Sequence, residues 1–351
     1  LKMSITIKSH FGKYSIKVIR KINQKNLIND NNFYIIDTSV YNIFFKKKLN
    51  KNFVLVNSSE KNKDYFEIGN IMKKVISFGI KRNSNLIAIG GGIIQDIAGF
   101  IASIVFRGIS WTFYPTTLLA QGDSCIGGKT SVNFGVVKNQ LGNFYPPKQI
   151  YLYSDFLKGL RKKDIMSGLG ELAHYYLISG KKDWKLFNNY LENFLNNPTN
   201  FTILEKIAFR SLKIKKKIIE KDEFDKGLRL ILNYGHSFGH AIEKLTSHQI
   251  PHGLAVAHGM NIANFFSYKL RLMKYDEFKQ IEKTLKKIVD LKQIDNIKVT
   301  KFVKILKQDK KNLQNNFKLI LSKGVGKMIV KNINNQKTVT NLIKEYLANA
   351  K

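Results

Sequence analysis

Two histidines four residues apart, His236 and His240, stand in Asn233-Tyr234-Gly235-His236-Ser237-Phe238-Gly239-His240-Ala241-Ile242-Glu243, and a third, His252, follows a proline-containing loop. On a helix the first two share one face, where two imidazoles can converge on a metal ion and its ligand. Gly168-Leu169-Gly170-Glu171-Leu172-Ala173-His174 places a carboxylate in an otherwise apolar helix start. Burying Glu171 without a partner costs several kcal/mol, and a divalent cation is the partner these residue types suggest. The single cysteine, Cys125, cannot close an intramolecular disulfide and leaves His and carboxylate as the metal ligands.

A second group of residues is suited to anions. Gly90-Gly91-Gly92 ends an apolar run and opens a helical stretch. Glycines there let the backbone approach a pyrophosphate, and the helix start supplies N–H donors; a tight strand-to-helix turn is the plainer reading of the same triplet. Asp96 falls in the first turns of that helix, and Asp37 closes Phe33-Tyr34-Ile35-Ile36, where an acid can accept from ribose hydroxyls. Asp123-Ser124-Cys125-Ile126-Gly127-Gly128-Lys129-Thr130 makes poor core and poor helix but a good backbone cradle with a cation beside it. Lys138-Asn139 adds a further charge and an amide. Arg229, wedged in Gly227-Leu228-Arg229-Leu230-Ile231-Leu232, is a guanidinium amid apolar residues, the setting of a carboxylate or phosphate clamp.

The elements that must position these groups can be read from periodicity. Phe33–Ile36, Phe53–Val56, Leu86–Ile89 and Trp111–Tyr114 read as strands, with helices at Tyr65–Ile80 and Ile93–Val105 between them. This alternation predicts a parallel sheet with flanking helices. From about residue 151 helical periodicity takes over, so the expected fold is an α/β domain over 1–152 and an all-α domain over 153–351. The Asn/Lys-rich stretches near 21–32 and 331–337 read as solvated loops or edges.

Lys and Arg number 59 against 25 Asp and Glu, a net charge of +34. The excess is mostly lysine dispersed through the chain rather than gathered with stacking aromatics, which argues for solvated faces and attraction of small anions over nucleic-acid binding. No apolar run approaches the roughly 18–20 residues that cross a bilayer. The first residues show no secretion signal, and the cytoplasm is the expected location.

These motifs, in this order, resemble 3-dehydroquinate synthase and the wider sugar-phosphate cyclases from about Asp37 to Lys311. The resemblance is carried by GGGxxxD, RG, PTTLLAQxDSxxGGKTxxN, KNxxGxFYxP, GxxE, KxxxxxxDExxxGLRxxLNxGHxFGHAIE and HGxAVxxGM. It implies NAD held by the loop from Glu60 to Lys63, Gly91, Gly92, Asp96, Thr116, Thr117, Lys129, Lys138, and Phe156, Leu157, Lys158 and Gly159, beside the Asp37 read above as a ribose acceptor. It implies zinc, for which cobalt can substitute, on Glu171, His236 and His252. Arg107, Asp123, Lys129, Asn139, Lys215, Arg229, Asn233, His240 and Lys310 are implied to line a pocket for a small anionic sugar-acid phosphate, with His240 taking a hydroxyl proton. The implied reaction is a redox-neutral cyclisation of the shikimate pathway, in which NAD is regenerated, phosphate is eliminated and an aldol step closes the ring. It also implies a homodimer with neither nucleic-acid nor membrane partners.

The chain departs from the family pattern at three places. His174 stands where a lysine is common, Leu254 replaces the acid of HGE, and SGExxK reads Ser58-Ser59-Glu60-Lys61-Asn62-Lys63. These departures keep a cyclase acting on another sugar phosphate as the second expectation. A metal-dependent polyol dehydrogenase is the third; it has no use for the GGKT loop, Lys138-Asn139 or Arg229 as a grip on phosphate and carboxylate.

Overall fold

The computed structural model describes residues 3–22, 29, 31–46, 52–135, 137–308 and 316–349. They form two compact units. One takes the chain through Arg161 together with Asn200–Phe224; the other takes Lys162–Thr199 and the chain from Asp225 onward. This division differs from the single boundary expected at 152/153. The residues just after 152 and a whole later helix belong with the sheet.

The first unit is built on a seven-stranded sheet in the order β1-β2-β9-β6-β5-β3-β4. Its strands are β1 Ser4–Ser9, β2 Gly12–Val18, β3 Asn32–Asp37, β4 Phe53–Val56, β5 Asn85–Gly90, β6 Ser110–Pro115 and β9 Gln149–Leu152. Only β1–β2 pair antiparallel; the remaining pairs are parallel. The four strands read from the sequence are present. β1 and β2 escape that reading, because their short polar–apolar alternation runs through lysine- and serine-rich sequence.

Helices α1 (Tyr65–Ser77) and α2 (Gly92–Ile104) flank the sheet. A small antiparallel pair, β7 (Val132–Phe134) and β8 (Val137–Leu141), carries Lys138 and Asn139. Phe209, Leu212 and Ile219 of a helix at Phe201–Ile219 join the same apolar core as Ile16, Ile35, Ala88 and Phe113 of the strands. Periodicity identifies such a helix but not the layer that receives its apolar face, which is why the expected boundary differs.

The second unit is mainly helical: α3 (Lys162–Ser179), α4 (Lys181–Asn196), then, counting the Phe201–Ile219 helix of the first unit as α5, α6 (His236–Leu245), α7 (His252–Lys269), α8 (Tyr275–Leu285), α9 (Val299–Lys307) and α10 (Gln336–Asn349). It is not purely α. Phe317–Ser322 and Met328–Ile333 form an antiparallel hairpin, β10–β11, so residues 331–333 lie in a strand, and 336–337 open α10. α3 and α7 are buried almost all round, from Ile165 to Ile178 and from Gly253 to Ser267 apart from Met166, which marks them as central helices.

Glycine lets these helices approach. A Cβ at Gly253 would fall 1.8 Å from the Ser167 carbonyl oxygen, one at Gly170 2.3 Å from that of Gly253, and one at Gly259 2.0 Å from that of Gly235. Gly170 immediately precedes Glu171, and Gly253 immediately follows His252. Those contacts therefore set the spacing of the two ligand-bearing helices.

His258 on α7 is fully buried, with Nε2 3.3 Å from Gln293 Oε1. Burial pushes its pKa down to about 4, against smaller opposing effects from Gln293 and Asp290. Between the unfolded value near 6.5 and about 4, the unfolded chain takes up a proton that the folded chain refuses, so stability falls as pH falls, by up to about 1.4 kcal/mol per pH unit. Denaturant melts at pH 7 and pH 5 are expected to show this loss in the wild type, and a smaller one in His258→Asn.

Candidate active site

α3, α6 and α7 bring together the three residues implied as metal ligands. Glu171 lies well inside α3 rather than at its start, with its side chain 3% exposed. Glu171 Oε1 is 3.3 Å from His236 Nε2, and Oε2 is 3.4 Å from His252 Nε2. Oε2 is buried and accepts no hydrogen bond among the described residues. Burial alone would raise the Glu171 pKa; the His236, His252 and His174 rings outweigh it and hold the carboxyl well below the usual carboxylate range.

The far side of each imidazole is also engaged. His236 Nδ1 is 3.2 Å from the Tyr234 carbonyl oxygen, and His252 Nδ1 is 3.1 Å from Glu243 Oε2. An acceptor behind Nδ1 selects the tautomer with Nδ1 protonated and Nε2 free to ligate. Two nitrogens and a carboxylate otherwise lacking a hydrogen bond on one oxygen thus converge as a divalent cation requires, and the residues fit such an ion.

His240, one turn beyond His236, is exposed rather than part of this triad. Its ring lies 5.6 Å from that of His236 and 5.7 Å from that of His252. His174 is buried, with Nδ1 3.6 Å from Glu171 Oε1. Arg229 is buried in the short helical turn Leu228–Asn233, and Asn233 Nδ2 donates to the Leu230 carbonyl. Lys310 lies outside the described residues.

In the first unit, α2 starts at Gly92 with Gly91 as N-cap and no side chain capping it, so its first N–H groups are available to an anion. A Cβ on Gly91 would stand 3.1 Å from Thr117 Cγ2, whereas Gly92 has only Ser124 Oγ at 3.8 Å. Thr116 N donates to the Gly90 carbonyl, and Thr117 Oγ1 accepts from Ala120 N, fixing the facing loop. This turn fits the pyrophosphate of a dinucleotide.

Lys63, 7% exposed, pairs with Asp96 Oδ2 at 2.6 Å and donates to Asn139 Oδ1 at 2.9 Å. Burial pushes Asp96 up to about 6, partly offset by Lys63. Lys138 Nζ lies 4.0 Å from Glu60 Oε2. Asn133, to which the sequence motifs assign no role, clips these loops together. Its Nδ2 donates to the Glu60 carbonyl and Oε2, and its Oδ1 accepts from Asn139 N, whose backbone is left-handed at φ 56.

Lys215 on α5 is buried against Asp123, donating to both the carbonyl and Oδ1 at 2.8 Å. Arg107 is exposed and left-handed at φ 64, and Lys129 is exposed. Two expected cofactor groups are engaged differently from the expectation. Asp37 caps the turn that follows it, accepting from Ser39 N, Val40 N and Ser58 Oγ. Phe156 and Leu157 are core residues, with the Phe156 ring packed on Phe44 and Tyr153, which leaves cofactor contact there to the backbone and to Lys158–Gly159.

Residues 53–167 match the family model described as 3-dehydroquinate synthase N-terminal, and 168–312 match 3-dehydroquinate synthase C-terminal. The 3-dehydroquinate synthase of Endomicrobium trichonymphae is 36% identical over 329 residues, covering 93% of this chain and 90% of that protein. That of Helicobacter pylori is 37% identical over 281 residues, covering 80% of each. Among solved structures, 2-deoxy-scyllo-inosose synthase complexed with carbaglucose-6-phosphate, NAD+ and Co2+ superposes with a TM-score of 0.87 at 24% identity, covering 98% of this chain and 100% of that one.

Proposed function

Because the chain belongs to the 3-dehydroquinate synthase family, we propose that it converts 3-deoxy-D-arabino-heptulosonate 7-phosphate to 3-dehydroquinate and phosphate, a step of the shikimate pathway, in the cytoplasm. The geometric observation that carries this reading is the buried Glu171 carboxylate facing two imidazole Nε2 atoms whose Nδ1 atoms are already engaged. Glu171, His236 and His252 would hold a zinc or cobalt ion. The turn at Gly91–Gly92, with Lys63, Asp96, Thr116, Thr117 and Lys138, would hold NAD. When bound, the cation supplies Lewis-acid polarisation of a substrate oxygen and NAD a reversible hydride acceptor.

The chain's own residues do the rest. His240, at the exposed rim of the triad, accepts the proton of the hydroxyl being oxidised. Arg229 and Lys215 are the buried cations assigned to substrate carboxylate and phosphate, where a fixed positive charge stabilises a leaving phosphate. Asp123 holds the Lys215 ammonium in place. A side chain at Gly91 would crowd Thr117, so glycine there keeps the facing loop close while the turn's N–H groups stay directed to the cofactor pyrophosphate. Because NAD is returned unchanged, the enzyme is a carbon–oxygen lyase.

Purified protein supplied with substoichiometric NAD, zinc and 3-deoxy-D-arabino-heptulosonate 7-phosphate is expected to release phosphate and form a carbocycle over many turnovers per NAD. Inertness toward this substrate together with turnover of another sugar phosphate would reassign the substrate. Net accumulation of NADH with a simple polyol would favour a dehydrogenase instead.

Asn133→Ala removes the clip between the Glu60 turn and the Asn139 strand. Losing these buried hydrogen bonds is expected to weaken NAD binding by about ten-fold, as read by calorimetric titration, without loss of zinc.

A further inference from the structure

We infer that Glu243 is a positioning residue for the metal centre: its carboxylate fixes the His252 ring so that Nε2 is presented to the cation. The inference rests on the proposed role of Glu171, His236 and His252 as metal ligands.

The two ligating imidazoles are held in different ways. His236 finds its Nδ1 acceptor in a main-chain carbonyl two residues earlier, at 3.2 Å, which no side-chain substitution removes. His252 is the first residue of α7 and follows Pro251; its side chain is 36% exposed, so packing restrains the ring less than it restrains Glu171 at 3%. Its orientation depends on the 3.1 Å contact from Nδ1 to Glu243 Oε2. Glu243 is suited to that task. Its side chain is 13% exposed, and it lies two turns beyond His236 on α6, so one helix supplies both a ligand and the acceptor behind another ligand.

The neighbouring Leu254, where the family pattern carries an acid, offers no carboxylate, and Glu243 supplies one from a different helix.

One rival uses the same atoms. Donor atoms of His240, Glu243 and His252 lie within 4.8 Å of one another, a spacing that a second ion could bridge. Such an ion would have to take His252 Nδ1, the nitrogen that Glu243 already engages, or share Nε2 with the first ion. The stoichiometry of binding separates the two cases.

The test titrates Zn2+ into the full-length apoprotein against a chelator of known affinity, for wild type, Glu243→Gln, Glu243→Ala and Glu171→Gln, with thermal melts of each apoprotein and zinc-loaded protein. One ion per chain is expected in wild type. Affinity should fall by about 10- to 100-fold in Glu243→Ala, the range seen when the acceptor behind a ligating imidazole is removed. Glu243→Gln, which keeps an oxygen acceptor, should fall between, and the apoprotein melting temperatures should stay together while the zinc-induced rise shrinks in Glu243→Ala. Wild-type zinc affinity in Glu243→Ala would overturn the positioning role alone. Two ions in wild type and one in Glu243→Ala would make Glu243 a ligand and overturn it as well. Absence of binding by wild type, or unchanged binding by Glu171→Gln, would remove the metal reading itself.

Discussion

His236→Ala is expected to yield a folded protein that retains no zinc after dialysis and turns over at least about a thousand-fold more slowly than wild type. The side chain contributes one of three donors, and its Nε2 stands 3.3 Å from the Glu171 carboxylate. Removing it takes away both a ligand and one of the two rings nearest that buried charge. A polarising cation contributes several kcal/mol to charge development in the transition state, and each 1.36 kcal/mol is a factor of ten in rate, so about a thousand-fold is the smallest loss expected with the cation gone. Elemental analysis and phosphate release measured on one preparation check it. Added zinc at high concentration should restore only part of the rate. A zinc-free variant with wild-type turnover would remove the cation from the chemistry.

Gly253→Ala is expected to be the most damaging single-methyl change in the second unit. The added Cβ would lie 1.8 Å from the Ser167 carbonyl oxygen and 2.9 Å from the Glu171 nitrogen, so α3 and α7 must separate. Overpacking of this kind costs about 1–3 kcal/mol when side chains can move aside, and more when the obstruction is backbone, as here. Glu171 and His252 ride on those two helices, so zinc affinity should fall together with stability. Gly69→Ala provides the contrast: it lies inside α1 with nothing within 4 Å of the added Cβ, and should leave zinc binding intact while stabilising the protein by about 0.4–1 kcal/mol. Denaturant melts of the two variants, with zinc titrations, are expected to move in opposite directions in stability, with zinc affinity lost only in Gly253→Ala.

Much of this architecture is legible in the sequence because it obeys local rules. The runs that become β3 to β6 are short and apolar, β5 closing on Gly90 and β6 on Pro115, and the helix after Gly90-Gly91-Gly92 opens where the glycines place it. The histidine spacing indicates a metal, and the family resemblance singles out Glu171, His236 and His252, which the structure brings together. Non-local features are harder to see. Lys215 and Asp123 are 92 positions apart, and only the docking of α5 beside the sheet pairs them. β10–β11 escapes a periodicity reading because Phe317–Ser322 is a single short apolar run in a chain whose second half is otherwise helical.

Glu243 is visible as the last residue of the histidine motif, yet its role depends on a ring contributed by another helix. Asn133, the last residue of the GGKTxxN motif, likewise has a role that depends on partners in other segments. A polar residue that ends an otherwise apolar or glycine-rich motif is the signal that marks both. Gly170, Gly235, Gly239 and Gly253 read as a pattern beside the ligands in sequence; in three dimensions they are the surfaces across which the ligand helices touch.

The most direct test of the central claim, that Glu171, His236 and His252 hold one divalent cation, is diffraction from zinc-soaked crystals recorded on either side of the zinc absorption edge. A single anomalous peak is expected about 2.0–2.2 Å from His236 Nε2, His252 Nε2 and a Glu171 carboxylate oxygen. A peak bound by other residues, or none at saturating zinc, would contradict the claim.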